Sequence, residues 1–137
     1  PYALGVTGVI FGKHIDKVEM DQGKHIHTLP VLLGERASRY AVVGMMALQY
    51  LLVIYLVIIG FFTPLMLIVF LALPTFIKII LPMFRQPRPA EKPEGYPDVW
   101  PNYFVAGAFV HNRTFGLWFL LGLILNAAFI TWVLKLF

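Results

Sequence analysis

Three apolar blocks constrain this chain more than any motif in it. Tyr40 to Phe62, Leu65 to Met83 and Phe115 to Phe137 are long and almost free of charge. A helix rises about 1.5 Å per residue and the hydrocarbon core of a bilayer is about 30 Å thick, so each block has the length of one crossing. The blocks are neither alternating nor one-sided, which argues against strands and against the amphipathic helices of a soluble domain. Composition agrees: charged residues make up 13% of the chain, where soluble domains carry about 25%. The fold class that follows is all-α, a multi-pass transmembrane helical bundle.

The rest of the chain is read against these spans. Pro74, inside the second block, removes a backbone donor and kinks the helix, which neighbouring helices tolerate in lipid. Lys78 lies close enough to the end of that block to snorkel to the interface. Tyr2 to Phe11 is apolar but too short to cross, and reads as the last turns of a truncated helix. With no initiator Met and no secretory signal, residues 1–137 read as one membrane domain, the C-terminal portion of a larger bundle. There are no cysteines, which excludes disulfides, thiolate metal sites and cysteine nucleophiles. Asn102 to His111, with Trp100 and Tyr103 at its start, reads as an interfacial helix lying along the membrane surface.

Lysines and arginines set the topology. Segment 12–39 holds Lys13, Lys17, Lys24, Arg36 and Arg39, and segment 84–114, a Pro-rich loop plus the interfacial helix, holds Arg85, Arg88, Lys92 and Arg113. The Thr63-Pro64 hairpin between them holds none. Two spans separate the basic segments, so they share a side, and the positive-inside rule makes that side cytoplasmic, in a cell inner membrane. The net charge of +4 therefore reads as topology and not as nucleic-acid binding.

The stretch HIDKVEMDQGKHIHTLPVLLGE, residues 14 to 35, concentrates the chemistry. Asp16, Glu19 and Asp21 offer hard oxygen ligands of the kind Mg²⁺ takes alongside substrate phosphates. Lys17, Lys24, Arg36 and Arg39 offer charge for phosphate. Acids and bases mixed at a membrane mouth suit a diphosphate with a lipid tail; the plain alternative is a solvated, charged loop. His14, His25 and His27 suggest a transition-metal site, but two histidines two apart on a helix diverge and no cysteine joins them. His14, Lys17 and Asp21 share a helical face by their spacing. Glu35 and Arg39, four apart, form a pair on the first turn of the helix after Gly34. His111 reads as an interfacial, hydrogen-bonding residue, and the aromatic residues of the last block as packing and belt residues.

The longer stretch YALGVTGVIFGKHIDKVEMDQGKHIHTLPVLLGERASR resembles the second aspartate-rich region of the UbiA family of intramembrane prenyltransferases. Glu19, Asp21, Thr28, Leu29, Val31, Leu33, Gly34 and Glu35 carry the resemblance. It implies Mg²⁺-dependent transfer of a prenyl group from a prenyl diphosphate to a lipophilic acceptor, such as an aromatic quinone or pigment precursor. Asp21, Glu19 and Asp16 would be the catalytic, metal-binding acids. Lys17, Lys24, His14, Arg36 and Arg39 would bind the substrate. The chain departs from the family pattern in two places. Lys17 stands four residues before Asp21, where the family has an aspartate, and Asp16 is one place off, about 140° round a helix from Asp21. The family's first aspartate-rich motif is absent. These departures imply an altered metal site or direct phosphate binding by Lys17. The alternative is a non-catalytic transmembrane subunit of a larger membrane complex handling quinones or pigments.

Overall fold

The computed structural model describes residues 1–135, and all its regular structure is helical. We label the helices α1 (Tyr2–Ile15), α2 (Val18–Gly23), α3 (Leu29–Leu33), α4 (Glu35–Ile58), α5 (Pro64–Arg85) and α6 (Phe104–Leu134). The last three are long and apolar enough to cross a membrane, and the chain is a multi-pass membrane protein. Leu136 and Phe137, the end of the third expected span, lie outside the described residues.

Glycine punctuates α4 at both ends. Gly34, at φ 80°, accommodates the sharp change of direction between α3 and α4. At the far end Gly60, at φ 75°, stops the helix. Its N–H donates to the Val57 carbonyl at 3.0 Å, and the Phe61 N–H donates to that of Leu56 at 2.9 Å. This pair of bonds satisfies carbonyls that a helix end otherwise leaves orphaned. Thr63 and Pro64 then reverse the chain into α5.

Winding changes along α5. Pro64–Ala72 is 3₁₀, and a π turn occupies Phe76–Ile80 just ahead of Pro82. The buried residues follow the winding: Met66, Val69 and Ala72 recur every third residue, then Phe76, Ile80 and Phe84 every fourth. A 3₁₀ helix has about 3.0 residues per turn and eclipses side chains three apart, so the change of period keeps one continuous inward stripe. The expected disturbance at Pro74 is thus a change of winding around the proline.

The expected surface helix over Asn102–His111 is not separate. It is the first part of α6, which runs unbroken for 31 residues. The reason is in the side chains: Phe104, Gly107, Ala108, His111 and Phe115 all face inward at helical spacing, so this segment has a bundle to pack against and continues the span. Likewise the polar segment 12–39 is mostly helical, holding the end of α1, then α2, α3 and the first turn of α4, with a non-helical stretch at 24–28.

α1 packs against α6 and α4 through Gly5, Gly8 and Gly12. A Cβ at Gly12 would sit 2.8 Å from the Phe104 carbonyl oxygen, so only the bare glycine lets the backbones approach this closely. Inside the bundle Val42, Met46, Tyr50 and Val53 of α4 meet the α5 stripe and Phe104, Ala108 and Phe115 of α6. Outside it, Leu51, Tyr55, Leu117 and Ile124 are more than half exposed, which suits a lipid-facing surface.

Candidate functional site

The two basic polar segments meet at one end of the bundle, and Asp16 joins them. Its carboxylate accepts the Phe104 N–H at 3.0 Å and the Val105 N–H at 2.9 Å. These are the first residues of α6, so an acid from the end of α1 satisfies orphan donors at a helix N-terminus far away in sequence. Arg88, from the Pro-rich loop, donates to the Asp16 carbonyl at 3.0 Å, with its guanidinium 4.0 Å from the carboxylate. The Asp16 side chain is only 2% exposed. Burial pushes its carboxyl above the usual carboxylate range, and the N–H bonds from α6 and the charge of Arg88 offset this only in part. Asp16, expected as an open metal ligand, is here committed to holding α6.

The chain turns at Asp16 and Lys17, between α1 and α2, so the expected single helical face does not run through them. Its two ends still meet: His14 Nδ1 lies 3.5 Å from the Oδ2 of Asp21, which is buried. Glu19, two residues from Asp21 on α2, is exposed and turns the other way. Lys24 and Arg36 are exposed, as are His25 and His27. Among the described residues no group of three His, Cys, Asp or Glu side chains is placed to hold a metal ion. Arg39 is buried; its Nη1 donates to the Phe84 carbonyl at 3.4 Å, and its guanidinium lies 5.8 Å from the centroid of the Phe104 ring. The expected Glu35–Arg39 pair is present at 3.3 Å, without the alignment of a hydrogen bond. Arg39 thus ties α4 to α5 and α6 from below the site.

A cavity of about 410 Å³ opens here, lined by Asp16, Glu19, Glu35, Arg88, Trp100 and Phe104 among others. Lys17 lines an adjoining cleft that shares Asp16, Glu19 and Arg88. The site therefore gathers Asp16, Lys17 and Glu19, leaves Asp21 with His14 behind α2, and does not collect Lys24 or Arg36. Sequence reasoning counted Arg88 only towards topology. Its place between Pro87 and Pro89, which stiffen the loop around it, was the available signal.

A second polar group lies inside the membrane-spanning part. His111 is fully buried, with Nε2 3.2 Å from the Tyr50 hydroxyl. Gln49 is also fully buried, close to Asn112 around Gly5 of α1, and Asn112 Nδ2 donates to the Tyr2 hydroxyl at 3.3 Å. His111 is thus a core residue and not an interfacial one. Polar side chains buried at membrane depth mark helix contacts or function. Fold and site together define the class, a multi-pass membrane protein with a charged cavity at one membrane surface. No family model, curated protein or solved structure matches the chain.

Proposed function

We infer that the chain contributes the diphosphate-binding end of a UbiA-like prenyltransferase, which moves a prenyl group from a prenyl diphosphate to a lipophilic acceptor such as an aromatic quinone or pigment precursor. The observation that carries the reading is the placement of the cavity. A carboxylate-and-guanidinium pocket opens at the polar end of helices whose outer surfaces are apolar, so a charged head and a lipid tail each have a matching surface. In this reading Lys17 and Arg88 bind phosphate oxygens, and Glu19 lines the same cleft. Asp21, steadied by His14, supports α2 from behind. In this reading the polar end is cytoplasmic, by the positive-inside rule, and the membrane is a cell inner membrane.

Mg²⁺ enters this proposal as an ion carried by the diphosphate. Asp16 has its oxygens on N–H groups and Asp21 faces His14, so Glu19 is the accessible carboxylate. One or two carboxylates with phosphate oxygens and water suffice for Mg²⁺, and the donor set fits that shared arrangement better than a resident ion held by protein alone. Bound there, Mg²⁺ would neutralise the departing diphosphate. Arg88 and Lys17 orient that group, and Trp100 and Phe104 form the apolar part of the cavity lining.

The commitment of Asp16 to α6 supports a second reading, a non-catalytic subunit of a membrane complex, because it removes one expected metal ligand. Binding of geranylgeranyl diphosphate to the reconstituted chain, titrated with and without Mg²⁺, separates the two. The enzyme reading expects Mg²⁺-enhanced binding that Glu19→Gln weakens about tenfold or more, the scale of a lost charge-assisted contact. Absence of binding, or binding indifferent to Mg²⁺ and to Glu19, favours the subunit.

A further inference from the structure

Exposed apolar residues on α4, α5 and α6 have an evident solvent in lipid. A second set has none. Ile26 is 46% exposed, Leu29 52%, Leu32 66% and Leu33 48%, all on or just before α3, outside the three spans. Met20, on α2, is 45% exposed beside them. Monomeric proteins seldom leave such a contiguous patch in water.

Position and charge say what covers it. α3 is joined to α4 by Gly34 alone, and the apolar run of α4 begins at Tyr40. The intervening turns rise only about 7 to 8 Å, so α3 lies within the headgroup layer, which adds about 5 to 8 Å on each side of the hydrocarbon. The surrounding charge is uneven. Lys24 and Arg36 are exposed and have no ion-pair partner among the described residues. Asp16 and Asp21 point inward, with side chains 2% and 9% exposed, which leaves Glu19 and the Glu35 side chain, paired with Arg39, as the outward acids of this segment. Outward-facing cations beside leucines that need cover match a surface carrying anionic headgroups over acyl chains. We propose that α3 is an interfacial anchor: Leu29, Leu32 and Leu33 enter the bilayer edge, and Lys24 and Arg36 engage anionic phospholipid headgroups.

The absence of cysteines gives a direct test. Leu32→Cys, at the most exposed of these leucines, carries a nitroxide in the full chain reconstituted in phosphatidylglycerol-containing vesicles, with Gln22→Cys as the water-facing reference. The accessibility of the label to oxygen relative to a nickel chelate on both sides of the membrane reads its depth. The proposal expects this ratio at position 32 to exceed that at position 22. It also expects the docked spectral component to fall about fivefold relative to the undocked one for each of Lys24→Gln and Arg36→Gln, the loss of one surface cation's attraction. That fall should vanish in pure phosphatidylcholine. A label at position 32 as open to the chelate as that at position 22 overturns the proposal. So does a label closed to both reagents, which would show a protein partner or a second copy on the patch. A docked fraction unchanged by the charge removals overturns the anionic-lipid assignment.

Discussion

The two ends of the bundle are closed by different means. At the polar end, charged side chains do the joining: Asp16 caps α6 and Arg39 reaches the end of α5, each across a long sequence separation. At the opposite end the backbone nearly suffices. Gly60 terminates α4 by carbonyl bonds to its own chain, and one side chain, Asn126, accepts the Thr63 N–H at 2.7 Å. The end with a proposed chemical task thus spends its charges on architecture, while the hairpin end, which carries no Lys, Arg, Asp or Glu from Ile54 to Ile77, relies on turn geometry.

Substitutions at each end sharpen the contrast. The largest effect is expected for Gly12→Val, which drives a branched side chain into the Phe104 backbone and separates α1 from α6. Overpacking of this kind costs about 1–3 kcal/mol and more where backbone must move, read as loss of thermal stability in detergent. Asp16→Ala comes next. It strips the N-terminus of α6 of its acceptor and should cost about 1–2 kcal/mol, with Asp16→Asn recovering part because an amide oxygen still accepts. Equal stability of the Ala and Asn variants would mean that the cap contributes nothing. Asn126→Ala, at the quiet end, removes one bond and should cost about 1 kcal/mol. If it costs more than Asp16→Ala, the assignment of the stronger closure to the polar end is reversed.

The spans were legible because lipid demands apolar length, a property of composition. Their helical limits were less so. Tyr40 marks where α4 enters hydrocarbon, but the helix begins at Glu35, since a helix continues through charged residues that lie outside the lipid. Asn112, Arg113 and Thr114, just after His111, stood between the expected surface helix and the third span. In three dimensions His111 and Asn112 turn into the bundle while Arg113 stays exposed, so polarity there reports neighbours and not a helix end. Asp16 was legible as a carboxylate but not as a cap, because the N–H groups that claim it come from residues 104 and 105 and nothing local announces them. The Glu35–Arg39 pair was legible because both partners sit on one helix.

The winding of α5 has a consequence for how its length matches that of α4. α4 has 24 residues and α5 has 22. Were both α-helical throughout, α5 would fall about 3 Å short of its antiparallel neighbour. A 3₁₀ helix advances about 2.0 Å per residue against 1.5 Å, so the overwound stretch lengthens α5 by about 4 to 5 Å, of which the π turn gives back a part. The two helices then have nearly the same length, so the antiparallel pair ends level at the polar end, where Arg39 of α4 reaches the Phe84 carbonyl near the end of α5.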